Sequence, residues 1–153
     1  MCDFADPDDE YNLCTKTEYD SYGRVSSTTD PLGRVTLTKY DSLGRVVGTI
    51  VNSVDVSVLA NCSFDPNRTD SDEDLCTLYT YDERGNVIVI TDPAGRKTRT
   101  FYDELNRTVA TVQNWTETIT QESHFYKCFD SNETGTNNDK NICSLTKYDE
   151  VGN

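Results

Sequence analysis

Apolar and polar positions along this chain fall into short runs that break about every ten residues. Segments 24–29, 34–39, 45–51, 87–91 and 96–101 are rich in Val, Ile and Thr, the residues that suit a pleated, half-buried surface. They are set off by four-residue clusters of the form Asp-x-x-Gly at 20–23, 30–33, 41–44, 82–85 and 92–95, and by 103–106, where Asn takes the Gly place. Asp first and Gly fourth predicts a type I turn closed by a left-handed glycine bulge. The Asp side chain is expected to accept backbone N–H groups two or three residues on. Pro31 and Pro93 stand second in their turns, where a fixed φ fits, and Asn106 is the non-glycine residue type that best tolerates the left-handed region. No helical period appears. The pattern therefore predicts an all-β meander. Its strands carry too much Thr and Ser to fill a deep sandwich, so the hairpins must bury their faces on neighbours. The expected fold is a set of tandem β-hairpin repeats stacking into a β-solenoid, with disulfide-closed loop insertions.

The turns are part of a longer repeat. Tyr-Asp pairs begin at Tyr19, Tyr40, Tyr81, Tyr102 and Tyr148. Tyr19 to Tyr40 and Tyr81 to Tyr102 are both 21 residues, while Tyr19 to Tyr81 and Tyr40 to Tyr102 are both 62. A short period thus sits inside a long one of about 62–67 residues. The regularly placed tyrosines are expected to stack across neighbouring strands. The chain divides accordingly into an acidic Cys loop (1–16), a first repeat unit (17–61), a second acidic Cys loop (62–79), a second repeat unit (80–127), a third Cys loop (128–144) and the start of a third unit (145–153).

Tyr-Asp-x-x-Gly-Arg followed by Asp-Pro-x-Gly-Arg resembles the YD repeats of the Rhs and teneurin families, over 17–51, 80–113 and the stub at 146–153. The resemblance implies hairpins that coil into a large β shell or spiral, which encloses toxin cargo in some members and serves cell-surface adhesion in teneurins. Two departures stand beside it. No autoproteolytic core or variable toxin tail is recognisable, and Cys-bounded insertions interrupt the repeat.

The cysteines fall into three pairs, Cys2 with Cys14, Cys62 with Cys76, and Cys128 with Cys143, and the second member of each precedes a YD tyrosine by five residues. Six cysteines allow about 15 pairings, but the long repeat favours closure of each loop on itself. No Cys-x-x-Cys spacing supports zinc or thioredoxin-like chemistry. The loops are acidic. Asp65, Asn67, Asp70, Asp72 and Asp74 place hard oxygen donors at near-alternate positions, a candidate calcium set, although no EF-hand consensus is present and a solvated acidic loop is the plainer reading. Sequons stand at Asn61, Asn67, Asn106, Asn114 and Asn132, and some of them are expected to carry N-linked glycans if the source is eukaryotic.

Net charge of −13 disfavours nucleic acid and anionic membranes, and no apolar run is long enough to span a bilayer. The opening Met1-Cys2-Asp3-Phe4-Ala5-Asp6 does not read as a signal peptide. Local disulfides point to an oxidising compartment, extracellular or cell-surface. No catalytic constellation appears: the one histidine, His124, lies beside Phe125 and Tyr126 and reads as packing, and the carboxylates sit in turns and loops without the apolar surroundings that would raise a pKa. The expected function is architectural: an extracellular, non-catalytic, elongated fibre or shell whose partners are other copies of the repeat. An adhesin or receptor segment and the shell of a secreted toxin are the alternatives.

Overall fold

The computed structural model describes residues 14–54, 72–116 and 141–149. Within them the chain forms nine strands: β1 (Lys16–Tyr19), β2 (Val25–Thr29), β3 (Val35–Tyr40), β4 (Val46–Val51), β5 (Leu75–Tyr81), β6 (Val87–Thr91), β7 (Lys97–Tyr102), β8 (Thr108–Gln113) and β9 (Ile142–Leu145). Every strand named from the sequence pattern is present to within one residue at each end. The chain divides into two compact units, Met1–Leu78 and Tyr79–Asn153, with the division inside β5.

In the first unit β1 to β5 pair antiparallel in chain order. Register places Ser27 opposite Leu37, Leu37 opposite Ile50 and Ile50 opposite Cys76. This row is the buried line of the unit: Leu37 is 4% exposed and Ile50 is 0%. Strand periodicity of two sends the intervening residues to the other face, where Thr38, Thr49 and Thr77 stand in another row. Threonine pairs facing across strands add about 0.2–1 kcal/mol each, so the face away from the core is also built to pair.

The second unit repeats the plan 62 residues later. Val89 lies opposite Arg99, Arg99 opposite Val112 and Val112 opposite Cys143. Phe101, Ala110 and Val112 form its buried cluster, with Val109, Trp115, Cys143 and Leu145 packed against it. An exchange on the central rung distinguishes the units. Arg99 occupies the rung that Leu37 holds in the first unit, and the buried apolar weight moves to Phe101, which stands where the first unit has the exposed Lys39. A bulge precedes the tyrosine in three of the hairpins, between Glu18 and Tyr19, Lys39 and Tyr40, and Phe101 and Tyr102. An extra residue there strengthens the twist and re-aims the tyrosine that follows.

Candidate functional site

The repeated feature is a turn held by one carboxylate. At the first turn the Gly23 N–H donates to the Asp20 carbonyl at 3.0 Å, and the Asp20 N–H donates to the Arg24 carbonyl at 2.8 Å. Gly23 has φ +78°, the left-handed value that the bulge requires. Asp20 Oδ1 accepts the N–H groups of Tyr22 and Arg24, each at 2.9 Å, and Oδ2 accepts Arg24 Nε at 2.7 Å. The backbone pair recurs at Asp30, Asp41, Asp82, Asp92 and Asp103 with distances of 2.8–3.1 Å. Asn106 fills the glycine place with φ +60°, as its chemistry led one to expect. The carboxylate reaches residues two and four onward rather than two or three, because the third N–H is already donated to the aspartate's own carbonyl.

The fifth residue is a partner that the turn pattern alone did not reveal. Arg34, Arg45, Arg96 and Arg107 each donate Nε to the Oδ2 of the aspartate four residues earlier, at 2.6–2.7 Å. The signal was the arginine that follows the turn's last residue in five of six copies. At the remaining turn Asn86 donates its amide to Asp82 Oδ2 at 2.9 Å.

Tyrosines join one turn to the next along the same edge. Tyr40 donates its hydroxyl to the Val25 carbonyl at 3.0 Å, while its ring lies 4.4 Å from the Arg24 guanidinium carbon. Tyr148 does the same with the Thr108 carbonyl at 3.0 Å and Arg107 at 4.2 Å. Arg24 Nη1 also donates to the Asp41 carbonyl of the neighbouring turn at 3.3 Å. These tyrosines therefore act through a terminal hydroxyl and a cation over the ring, not through ring-on-ring stacking.

Asp20, Asp30, Asp41, Asp82 and Asp103 are stabilised as anions. The Arg34 guanidinium, followed by its N–H, holds Asp30 below the ordinary aspartate value, and the Asn86 amide is the main cause for Asp82. The Arg107 N–H is the main cause for Asp103. At Asp20 and Asp41 desolvation is the largest influence and pushes upward, but the combined hydrogen bonds of Arg24 and Arg45 outweigh it. A depressed folded-state pKa contributes stability above the unfolded value, about 3.9, and that contribution is lost as pH falls through the folded value. The thermal midpoint should therefore be flat near neutrality and fall steeply below about pH 4. Asp41→Asn should make that fall shallower; a midpoint insensitive to acid would contradict the clamp.

Chain leaves the sheet at two matching necks. Asp74 donates its N–H to the Asn52 carbonyl at 2.9 Å, and Asn141 donates to the Asn114 carbonyl at 3.2 Å. All four residues have left-handed φ, between 46° and 56°. Asp74 Oδ1 accepts the Val54 N–H at 3.0 Å, and the Asp72 carbonyl accepts Asn52 Nδ2 at 2.7 Å. Two of the candidate calcium ligands thus stand at a neck, and Asp65, Asn67 and Asp70 lie outside the described residues. Among the described residues no three metal-ligating side chains converge. Of the sequons, Asn106 is exposed in its turn and Asn114 stands at the second neck, where the Thr116 hydroxyl accepts Asn141 Nδ2 at 2.9 Å. Asn61, Asn67 and Asn132 lie outside the described residues, as do Cys2, Cys62, Cys128 and His124. No described cysteine is a free thiol: Cys14 precedes β1, and Cys76 and Cys143 lie in β5 and β9.

Comparison with known proteins matches this geometry. The model of the RHS repeat fits residues 19–53 and 81–115. No curated protein sequence matches the chain significantly. Among solved structures, the Photorhabdus luminescens Tc holotoxin pore containing a TccC3 variant is 17% identical over 92% of this chain, with a TM-score of 0.58. The TcdB2–TccC3–Cdc42 complex is 17% identical over 91% of it, with a TM-score of 0.57. TcdB2–TccC3 is 16% identical over 91%, with a TM-score of 0.55. The chain spans only 5% of the length of each of these. Turn clamp, tyrosine bridge and long period coincide with the two matched segments, and residues 19–53 and 81–115 are RHS, or YD-type, repeats within a sheet of tandem β-hairpins.

Proposed function

We propose that the chain is a non-catalytic wall segment of a secreted RHS-type shell. The observation that carries this reading is the aspartate clamp that recurs at successive turns, five times with an arginine partner and once with an asparagine, and sets hairpin after hairpin in register. A wall needs regular edges and no reactive centre, and this is what the turns supply. The likeness in fold to toxin-complex chains supports a shell over an elongated fibre. In the extracellular setting we assign the pairings Cys2–Cys14, Cys62–Cys76 and Cys128–Cys143 to the insertions. One or more of Asn67, Asn106, Asn114 and Asn132 carries a glycan if the source is eukaryotic, and the Asp65–Asp74 set is a weak calcium site.

A second reading, an adhesin segment, is favoured by one feature. The third residue of several turns is large, apolar and exposed: Tyr22 at 82%, Leu32 at 78%, Leu43 at 76% and Leu105 at 72%. Such tips can dock on another surface. Cryo-electron microscopy of the native, full-length product decides between them. A closed wall of strands about 4.8 Å apart around a lumen is the expected result. Particles without a lumen would reject the shell, and saturable receptor binding abolished by Leu43→Asp would then select the adhesin.

A further inference from the structure

The second unit leaves open a tyrosine ring that the fold elsewhere covers with a guanidinium. Arg24 lies over Tyr40, and Arg107 lies over Tyr148, at 4.4 and 4.2 Å from the ring centroids. Each arginine is the fifth residue of one turn, and each tyrosine opens the next Tyr-Asp pair along the chain. The equivalent pair in the second unit is Asn86 and Tyr102. Tyr102 is held in the corresponding place, since its hydroxyl donates to the Val87 carbonyl at 2.9 Å as Tyr40 does to Val25. The shorter Asn86 side chain stops at Asp82 Oδ2 and Asn106 Oδ1, each at 2.9 Å. Among the described residues no cation lies over the Tyr102 ring.

A cavity of about 360 Å³ adjoins this ring, lined by Asp82, Glu83, Ile88, Tyr102, Asp103 and Glu104 among others. Asp103 is neutralised by Arg107 at 2.7 Å. Asp82 has an amide where the other five turn aspartates have an arginine four residues on. Two guanidiniums also line the cavity, and Arg99 interacts electrostatically with Asp82. Arg84 Nη1 donates to the Glu104 carbonyl at 3.1 Å, and Arg99 lies 5.2 Å from the Phe101 ring and 5.6 Å from the Trp115 ring.

We propose that this cavity binds a guanidinium from outside the chain, an arginine side chain presented by a partner protein, in the place that Arg24 and Arg107 fill internally. The ring face attracts the cation, and the excess of carboxylates over guanidiniums around the cavity favours a positive ligand. Planarity selects arginine over lysine. The site rests on the second unit alone and stands whether the chain is a shell wall or an adhesin.

The test is a titration of the intact, disulfide-bonded protein with N-acetyl-arginine amide, following the Tyr102 ring protons by NMR. A saturable shift in the millimolar range is expected, with N-acetyl-lysine amide weaker. Asn86→Arg places a guanidinium on the ring in cis and should abolish the shift, while Tyr102→Leu should weaken binding on the order of tenfold, as measured by calorimetry. Far-ultraviolet circular dichroism confirms that both variants fold. Absence of a saturable shift in the unmodified protein, or unchanged binding in either folded variant, overturns the proposal.

Discussion

Ile50→Ala is expected to destabilise the first unit by about 2–5 kcal/mol. Ile50 is 0% exposed and sits in β4 between Leu37 on one side and Cys76 on the other. Truncation removes the transfer free energy of the lost carbons and leaves a cavity between strands whose register is pinned by clamped turns, so little collapse can fill it. The effect is large because the first unit has few alternatives: Leu37 and Ile50 are its buried hydrophobic residues among those described. Val51, the next residue, is 47% exposed on the opposite face, and Val51→Ala should fall within about 0.5 kcal/mol of the parent. Urea unfolding under non-reducing conditions measures both. Equal costs for the two substitutions would show that the Ser27–Leu37–Ile50–Cys76 row is not the core. Val112, also fully buried and 62 residues later, should respond in the same direction.

Reduction of the native protein is expected to cost up to about 3 kcal/mol for each loop opened. The proposed bridges close Cys2–Cys14, Cys62–Cys76 and Cys128–Cys143, loops near fifteen residues in length, for which the chain-entropy model gives that magnitude. Location adds a second reason. Cys76 and Cys143 form the last rung beside Ile50 and Val112, so a bridge there ties an acidic insertion to the buried row. The necks keep the ends of each insertion together in the folded state, through Asp74 to Asn52 and Asn141 to Asn114. The bridge does so in the unfolded ensemble, where those hydrogen bonds are gone. Non-reducing peptide mapping should recover the three local pairs, and the thermal midpoint should drop when a reductant is added. Pairing between different loops, or a midpoint indifferent to reductant, would rule the assignment out.

The turns and strands were legible in the sequence because their causes are local. Asp first, Gly or Asn fourth and a β-branched run on either side act within five residues, and the positive φ at Gly23 and Asn106 follows from steric freedom alone. The 62-residue spacing of the Tyr-Asp pairs recurs in the fold, where Val112 stands in its unit as Ile50 does in the first. Other features depend on which strands become neighbours. The Tyr40 hydroxyl finds a carbonyl 15 residues back, and the Tyr148 hydroxyl finds one 40 residues back across an insertion. No local preference encodes such a partner; it exists only once antiparallel pairing sets two turns on one edge. The same holds for Arg99, which by composition resembles any surface arginine. Pairing puts it on the central rung between Val89 and Val112, against Phe101 and Trp115. The loss of an arginine at Asn86 was visible in the sequence, but the open ring it leaves at Tyr102 was not, because a side chain's reach across a sheet edge is decided by tertiary geometry and not by its place in the chain.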